Sequence, residues 1–299
     1  MKNFVFALAT ICLAGFIGCS QLKEENPSPV SNRVGVHPPG FSNPADTANF
    51  HGKAIAHNNW DMHECTRCHG TDYNGGTTGV SCNTCHTKSR GPENCTTCHG
   101  SVNAAPPKDL HDNVSVSVAT VGLHQKHVSG ATLAANLRCS ACHIVPSSLY
   151  APGHLDGVLP AEVTFDTASV ARTVTNEPGT SFYYAGLPAY TPNPSYTRPA
   201  ATCQNTYCHG NFKNGNPTNV VKWTDETGSG AACGTCHGDV TKPMPERAMP
   251  RTINNGGIHP TNTNCAGCHF GIIDNTGKLL DVTKHINGKV NVFGTEQNF

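Results

Sequence analysis

Seven times in this chain a cysteine is followed directly by a histidine, with another cysteine a few residues upstream. Six of these are Cys-x-x-Cys-His: Cys65/Cys68/His69, Cys82/Cys85/His86, Cys95/Cys98/His99, Cys139/Cys142/His143, Cys233/Cys236/His237 and Cys265/Cys268/His269. The seventh has four spacers, Cys203-Gln-Asn-Thr-Tyr-Cys208-His209. Cys-x-x-Cys-His is the attachment signature of a c-type haem. Two thioethers fix the porphyrin edge, and the adjacent histidine becomes the proximal iron ligand. The chemistry of such a site is one-electron transfer at iron.

Two other uses of cysteine compete with this reading. Paired Cys-x-x-Cys units build zinc ribbons, but zinc does not require a histidine at the very next position. A disulfide framework suits an exported cysteine-rich chain, but it leaves the histidines unexplained. The cysteine count decides between them. Of 16 cysteines, seven motifs use 14, and the two left over, Cys12 and Cys19, lie in the N-terminal segment. At the longer Cys203–Cys208 spacing, a disulfide beside a chance histidine remains an alternative.

Each haem iron has a sixth position. Ten histidines lie outside the motifs, and beyond the initiator only Met62, Met244 and Met249 supply thioethers, so bis-histidine ligation is expected nearly throughout. His154 and His285 rank first, because each opens a matched segment. His154-Leu-Asp-Gly157 leads to residues 161–166, and His285-Ile-Asn-Gly288 leads to residues 289–293. Both read as a histidine and turn feeding a short strand. His259 follows, six residues before Cys265. His124 and His127 are three apart and face the same way on a helical turn, so one can ligate while the other packs. His51, His57 and His63 precede the first motifs, and His111 is a further candidate. His63 is too near Cys65 to serve its own haem and is expected at a neighbouring one. His37 is the weakest of the ten.

With 30 Gly, 21 Pro and few apolar periodic stretches, the chain lacks the pattern of a sheet or bundle with its own core. The expected fold is mostly irregular and loop-rich, with short helices and a few short strands: a multihaem cytochrome c wrap around seven haems. The first three motifs fall within residues 65–99 and the last three within 203–269. The expected organisation is a signal peptide over residues 1–18, a lipidated polar tether over 19–50 and an N-terminal module of four haems over 51–160. An irregular linker over 161–200 and a C-terminal module of three haems over 201–299 complete it.

The N-terminus has Lys2 and a short apolar run from Phe4 to Ile17, which reads as a signal-peptide core. Phe16-Ile17-Gly18-Cys19 resembles a bacterial lipobox, which implies acylation of Cys19 and stable membrane anchoring. Ser20 after the cysteine, by resemblance to Gram-negative lipoproteins, implies export to the outer membrane, at its periplasmic face or the cell surface. The formal charge is zero. Two propionates per haem would make the loaded protein acidic by about 7 charges oxidised and about 14 reduced, so nucleic acid is not an expected partner.

The seven motifs, the Cys203–His209 variant and the two His-x-Asx-Gly segments together resemble the multihaem c-type cytochromes of dissimilatory metal-reducing bacteria. Outer-surface lipoproteins that mix CxxCH with CxxxxCH sites are the nearest likeness, over residues 51–294. The resemblance implies an electron carrier rather than an enzyme, working in extracellular electron transfer. Its expected partners are other redox proteins or extracellular acceptors, and the membrane through the anchor. Two other readings stand beside it: a subunit of a cytochrome filament, and a multihaem oxidoreductase with one open haem. The intact mass separates the attachment readings. Seven haem c are expected, and six haems with two free thiols or a disulfide at Cys203 and Cys208 would contradict this.

Overall fold

The computed structural model describes residues 36–155, 160–172, 191–212, 214–255, 257 and 259–298. The signal-peptide and Cys19 readings, and parts of the tether and linker, lie outside the described residues. The chain divides into two compact units, Met1–Met62 and His63–Phe299.

In the first unit, His37 stacks on Phe41 with ring centroids 4.1 Å apart. Helix α1 (His51–His57) follows, and its first residue donates from Nδ1 to Phe41 O at 3.0 Å.

The second unit is loop-rich, as the composition requires. Its helices are one or two turns long: α2 (His63–His69), α3 (Cys95–Cys98), α4 (His124–Val128) and α5 (Cys265–Cys268). Strands β1 (Ser195–Thr197), β2 (Thr202–Gln204) and β3 (Val221–Lys222) form an antiparallel sheet in that order. Strands β4 (Lys289–Val292) and β5 (Thr295–Asn298) form a hairpin closed at Phe293-Gly294. Both turn residues have positive φ, which matches the twist of the paired strands. Among the described residues no helix is long and apolar enough to cross a membrane.

The motifs themselves account for six of the thirteen short helical elements among the described residues. In four of them the histidine N–H donates to the carbonyl of the first cysteine: His86 to Cys82, His99 to Cys95, His143 to Cys139 and His269 to Cys265, at 2.8–3.3 Å. This bond closes one helical turn, which brings both cysteines to the same side. Ser81 and Asn94 cap two of the turns by accepting from Asn83 N and Thr96 N. The Cys203–His209 motif, fifth in chain order, has its first cysteine on β2. The chain reverses through Asn205, at φ +55°, before Cys208 enters a 3-10 turn over Tyr207–His209.

The protein core is thin. Val121 is the largest side chain that is fully buried among the described residues, and several of the other buried apolar residues are only Ala: Ala105, Ala141, Ala171 and Ala201. Apolar burial drives folding at roughly 25 cal/mol per Å², so a core this small calls for another apolar body. Two motifs are also pressed together by backbone. Gly210, at φ +114°, lies where an added Cβ would come within 2.7 Å of Asn216 O and 2.9 Å of Cys236 O. A Gly210→Ala variant should therefore lose about 1–3 kcal/mol. This would read as a melting midpoint lower by several degrees in the haem-loaded protein, and an unchanged midpoint would contradict the close approach.

Candidate functional site

A continuous cavity of about 1620 Å³ runs through the second unit. Single-ligand pockets span roughly 300–1,000 Å³, so this one exceeds the need of one small molecule. All fifteen cysteines and histidines of the last five motifs, from Cys95 to His269, line it. Six of the spare histidines line it too: His111, His124, His127, His154, His259 and His285. The third motif, close in sequence to the first two, thus opens into the same space as the four that follow it.

The first two motifs depart from this pattern. Cys68 and Cys85, expected as thioether sites like the rest, do not line the cavity; both are exposed, as are Cys95, Cys139 and Cys233, which do line it. Their partners Cys65 and Cys82 are half-buried and also lie outside it. The loop over residues 70–81 ties the first two motifs to each other: Thr77 N donates to Cys68 O at 2.9 Å, and Cys82 N donates to Tyr73 O at 3.0 Å. The third motif stays beside them, since Tyr73 Oη donates to Glu93 at 2.8 Å and Lys88 Nζ to Thr96 at 2.6 Å.

Within the cavity four spare histidines face four motif histidines. The ring centroids of His124 and His143 lie 6.2 Å apart, those of His127 and His209 6.3 Å, those of His237 and His285 6.1 Å and those of His259 and His269 6.3 Å. The interplanar angles are 22°, 65°, 71° and 9° respectively. The two near-parallel pairs are too far apart for stacked contact and leave a gap between the rings. A metal–nitrogen bond of about 2 Å on each side, with about 1 Å from each nitrogen to its ring centre, gives about 6 Å.

The ring nitrogens are arranged for the same purpose. Nδ1–H of His143 donates to Glu162 O at 2.6 Å, and that of His269 to Asn291 O at 2.7 Å. On the facing side, His124 donates to Val121 O, His127 to Leu123 O, His259 to Pro260 O and His285 to Leu133 O, at 2.5–3.0 Å. A carbonyl accepts only, so each bond places the proton on Nδ1 and the lone pair on Nε2. His69, His99 and His154 are tied through Nδ1 in the same way, to Val80 O, Ala104 O and Leu149 O. Burial depresses the proton affinity of His209 and His237 to a pKa of about 4, and lowers those of His124, His259 and His285. These imidazoles are neutral at pH 7, the form that binds iron.

The cysteines are thiols, with no disulfide among the fourteen. Burial pushes Cys142 and Cys203 up to about 11 and Cys208 up to about 12. Among the described residues no three of His, Cys, Asp and Glu converge in a group that could hold a bare metal ion.

The matched segments make equivalent bonds. Glu162 O accepts from His143 and Thr164 N donates to Cys142 O; Asn291 O accepts from His269 and Phe293 N donates to Cys268 O. Only the second forms a strand, because β4 has β5 to pair with, while residues 161–166 run extended without one. The rings of both His124 and His127 face a motif histidine. His63 packs on Tyr150 with centroids 3.9 Å apart, and His51 and His57 belong to the first unit. The electrostatic neighbours run in chain order. His99 acts on His124, Cys142 and Cys236 act on Cys208, and His259 acts on His237.

Residues 202–237 match the family model described as the Geobacter CxxxxCH...CXXCH motif. The match supports a c-type cytochrome. It covers the Cys203–His209 and Cys233–His237 motifs together, including the β2–β3 sheet edge and the contact at Gly210. No curated protein and no solved structure matched the chain. With covalent haem c implied at these motifs and electron transfer as its use, the facing histidines become testable. Replacing His259 or His285 by Ala should convert one low-spin haem per molecule to high-spin, seen by electron paramagnetic resonance. An unchanged low-spin spectrum in either variant would remove that residue from the ligand set.

Proposed function

We propose that the chain is a heptahaem electron relay in which nearly every iron is held between two histidines. The single observation that carries this is the set of four ring pairs at 6.1–6.3 Å. His143 pairs with His124, His209 with His127, His237 with His285, and His269 with His259. Haem c, when bound, supplies an iron that takes up and releases one electron. The chain's residues do the rest. The paired cysteines anchor each site covalently, and the carbonyl-tied Nδ1–H groups fix the rings. Two imidazoles at each of these sites leave no open position for a substrate, which favours a carrier over an enzyme.

Chain-ordered neighbours support a route from the third motif through the fourth, fifth and sixth to the seventh. The place of the first two motifs outside the cavity lining supports them as the end where electrons enter or leave. The histidine supply supports bis-histidine ligation at the first three motifs as well, with His51, His57, His63, His111 and His154 as the remaining candidates. His154 lines the cavity, as His99 does, with its proton held on Nδ1. Anchoring through Cys19, an outer-membrane or cell-surface position, and delivery to redox proteins or extracellular acceptors follow from the N-terminal pattern and the family resemblance. Replacement of Cys19 by Ala tests the anchor: the protein should leave the membrane fraction, and unchanged association would contradict acylation.

The ring angles give a sharper test of the axial pairs. Parallel imidazole planes split the iron orbitals into a rhombic low-spin signal, and crossed planes give a strongly anisotropic one with a large maximal g value. The oxidised protein should show both classes: rhombic signals from the 22° and 9° pairs, anisotropic ones from the 65° and 71° pairs. Rhombic signals alone would contradict the assignment of His127 and His285.

A further inference from the structure

Helix α4 has five residues, too few to hold its shape unaided. Yet it carries both His124 and His127, the partners of two motif histidines 66 positions apart, His143 and His209. The carbonyls that tie these two rings, Val121 O and Leu123 O, belong to the same short segment and move with it. His285, by contrast, is tied to Leu133 O across the chain. Something outside α4 must fix its two rings.

Trp223 is in position to do this. It follows β3, and its N–H donates to Ala201 O at 2.7 Å, extending the pairing beside Cys203. Its carbonyl accepts from Leu123 N at 3.1 Å, at the start of α4. Its indole Nε1–H donates to Ala119 O at 2.9 Å. The indole meets His124 edge-on, with centroids 4.8 Å apart and 87° between planes, and meets His127 at 5.3 Å and 34°. Gly122, at φ +45°, makes room for it: a Cβ there would collide with the indole nitrogen. One side chain thus touches both rings, while its backbone continues β3, the strand paired with the one that holds Cys203 of the fifth motif.

We propose that Trp223 is a positioning residue that locks the imidazole planes of His124 and His127, and with them the mutual placement of the fourth and fifth haems. This rests on the axial pairs proposed above. The indole sets the ring orientations from outside the helix, and Gly122 keeps the indole seated. Aromatic contacts of this kind select one ring orientation among several.

The test compares Trp223→Ala, Trp223→Phe and Gly122→Ala in the haem-loaded full chain, with mass and haem content checked first. His124→Ala and His127→Ala establish ligation separately, each by one low-spin to high-spin conversion. In Trp223→Ala, two low-spin signals should shift or broaden, one rhombic and one anisotropic, while the others keep their parental positions. Gly122→Ala should move the same two. Trp223→Phe should move them less, since it keeps a ring but loses the bond to Ala119. If both histidine variants turn high-spin while the tryptophan and glycine variants leave every signal in place, the axial pairs stand and the positioning role falls. If the histidine variants remain fully low-spin, the axial pairs fail and the role fails with them. Should the alanine variant lose haem or fail to fold, Gly122→Ala and Trp223→Phe decide by the same shifts.

Discussion

The hydrogen bond from an imidazole Nδ1–H to a backbone carbonyl is the interaction on which this structure turns. It is local, it needs no charge, and it sets the tautomer. With Nδ1 committed, Nε2 is left with a lone pair aimed away from the carbonyl, toward the cavity. Burial lowers the proton affinity of His124, His209, His237, His259 and His285, which favours their neutral form at pH 7. A histidine in an ordinary core would seek partners for both nitrogens. In six of the eight paired rings one nitrogen is satisfied by a carbonyl and the other is left for a ligand, whereas Nδ1 of His209 and of His237 is buried without a partner among the described residues.

The rest of the fold serves this arrangement. Helical turns present five of the seven cysteine pairs, those beginning at Cys65, Cys82, Cys95, Cys139 and Cys265. Apolar side chains are spread thinly around a space that runs past five motifs rather than packed against one another. A chain with so little core of its own gains its apolar interior from porphyrin. Folding and loading are therefore coupled, as in small metal-dependent domains whose binding energy is folding energy. The last motifs are joined by backbone contact. Asn216 N donates to Cys236 O, and Asn219 bridges to His209 O. Such contacts fix the spacing between neighbouring sites more tightly than side chains alone would.

Much of this is legible in the residues. The motifs declare their chemistry through spacing, and Gly, Pro and weak periodicity foretell the loop-rich chain. The segment repeat points to His285, which the structure sets opposite His237. It does not say which motif histidine His285 faces, because that depends on a fold that carries the segment back to the preceding motif. His124 and His127 are visible as a pair on one turn, but nothing local shows that both rings are used. That follows from tertiary placement of α4 between the fourth and fifth motifs. Trp223 carries no signal at all, as a single aromatic residue near a strand is ordinarily core. Sequence distance also groups the third motif with the first two, yet its cysteines and histidine open toward the later ones. The first two motifs have the same spacing as every other regular motif, so nothing in the sequence shows that they lie outside the cavity.

The central claim is that four named histidine pairs each hold one iron. Crystals of the haem-loaded protein, with diffraction recorded across the iron absorption edge, test it most directly. Anomalous peaks should fall midway between His124 and His143, His127 and His209, His237 and His285, and His259 and His269. An iron bound to one of these motif histidines but facing any residue other than its named partner would contradict the account.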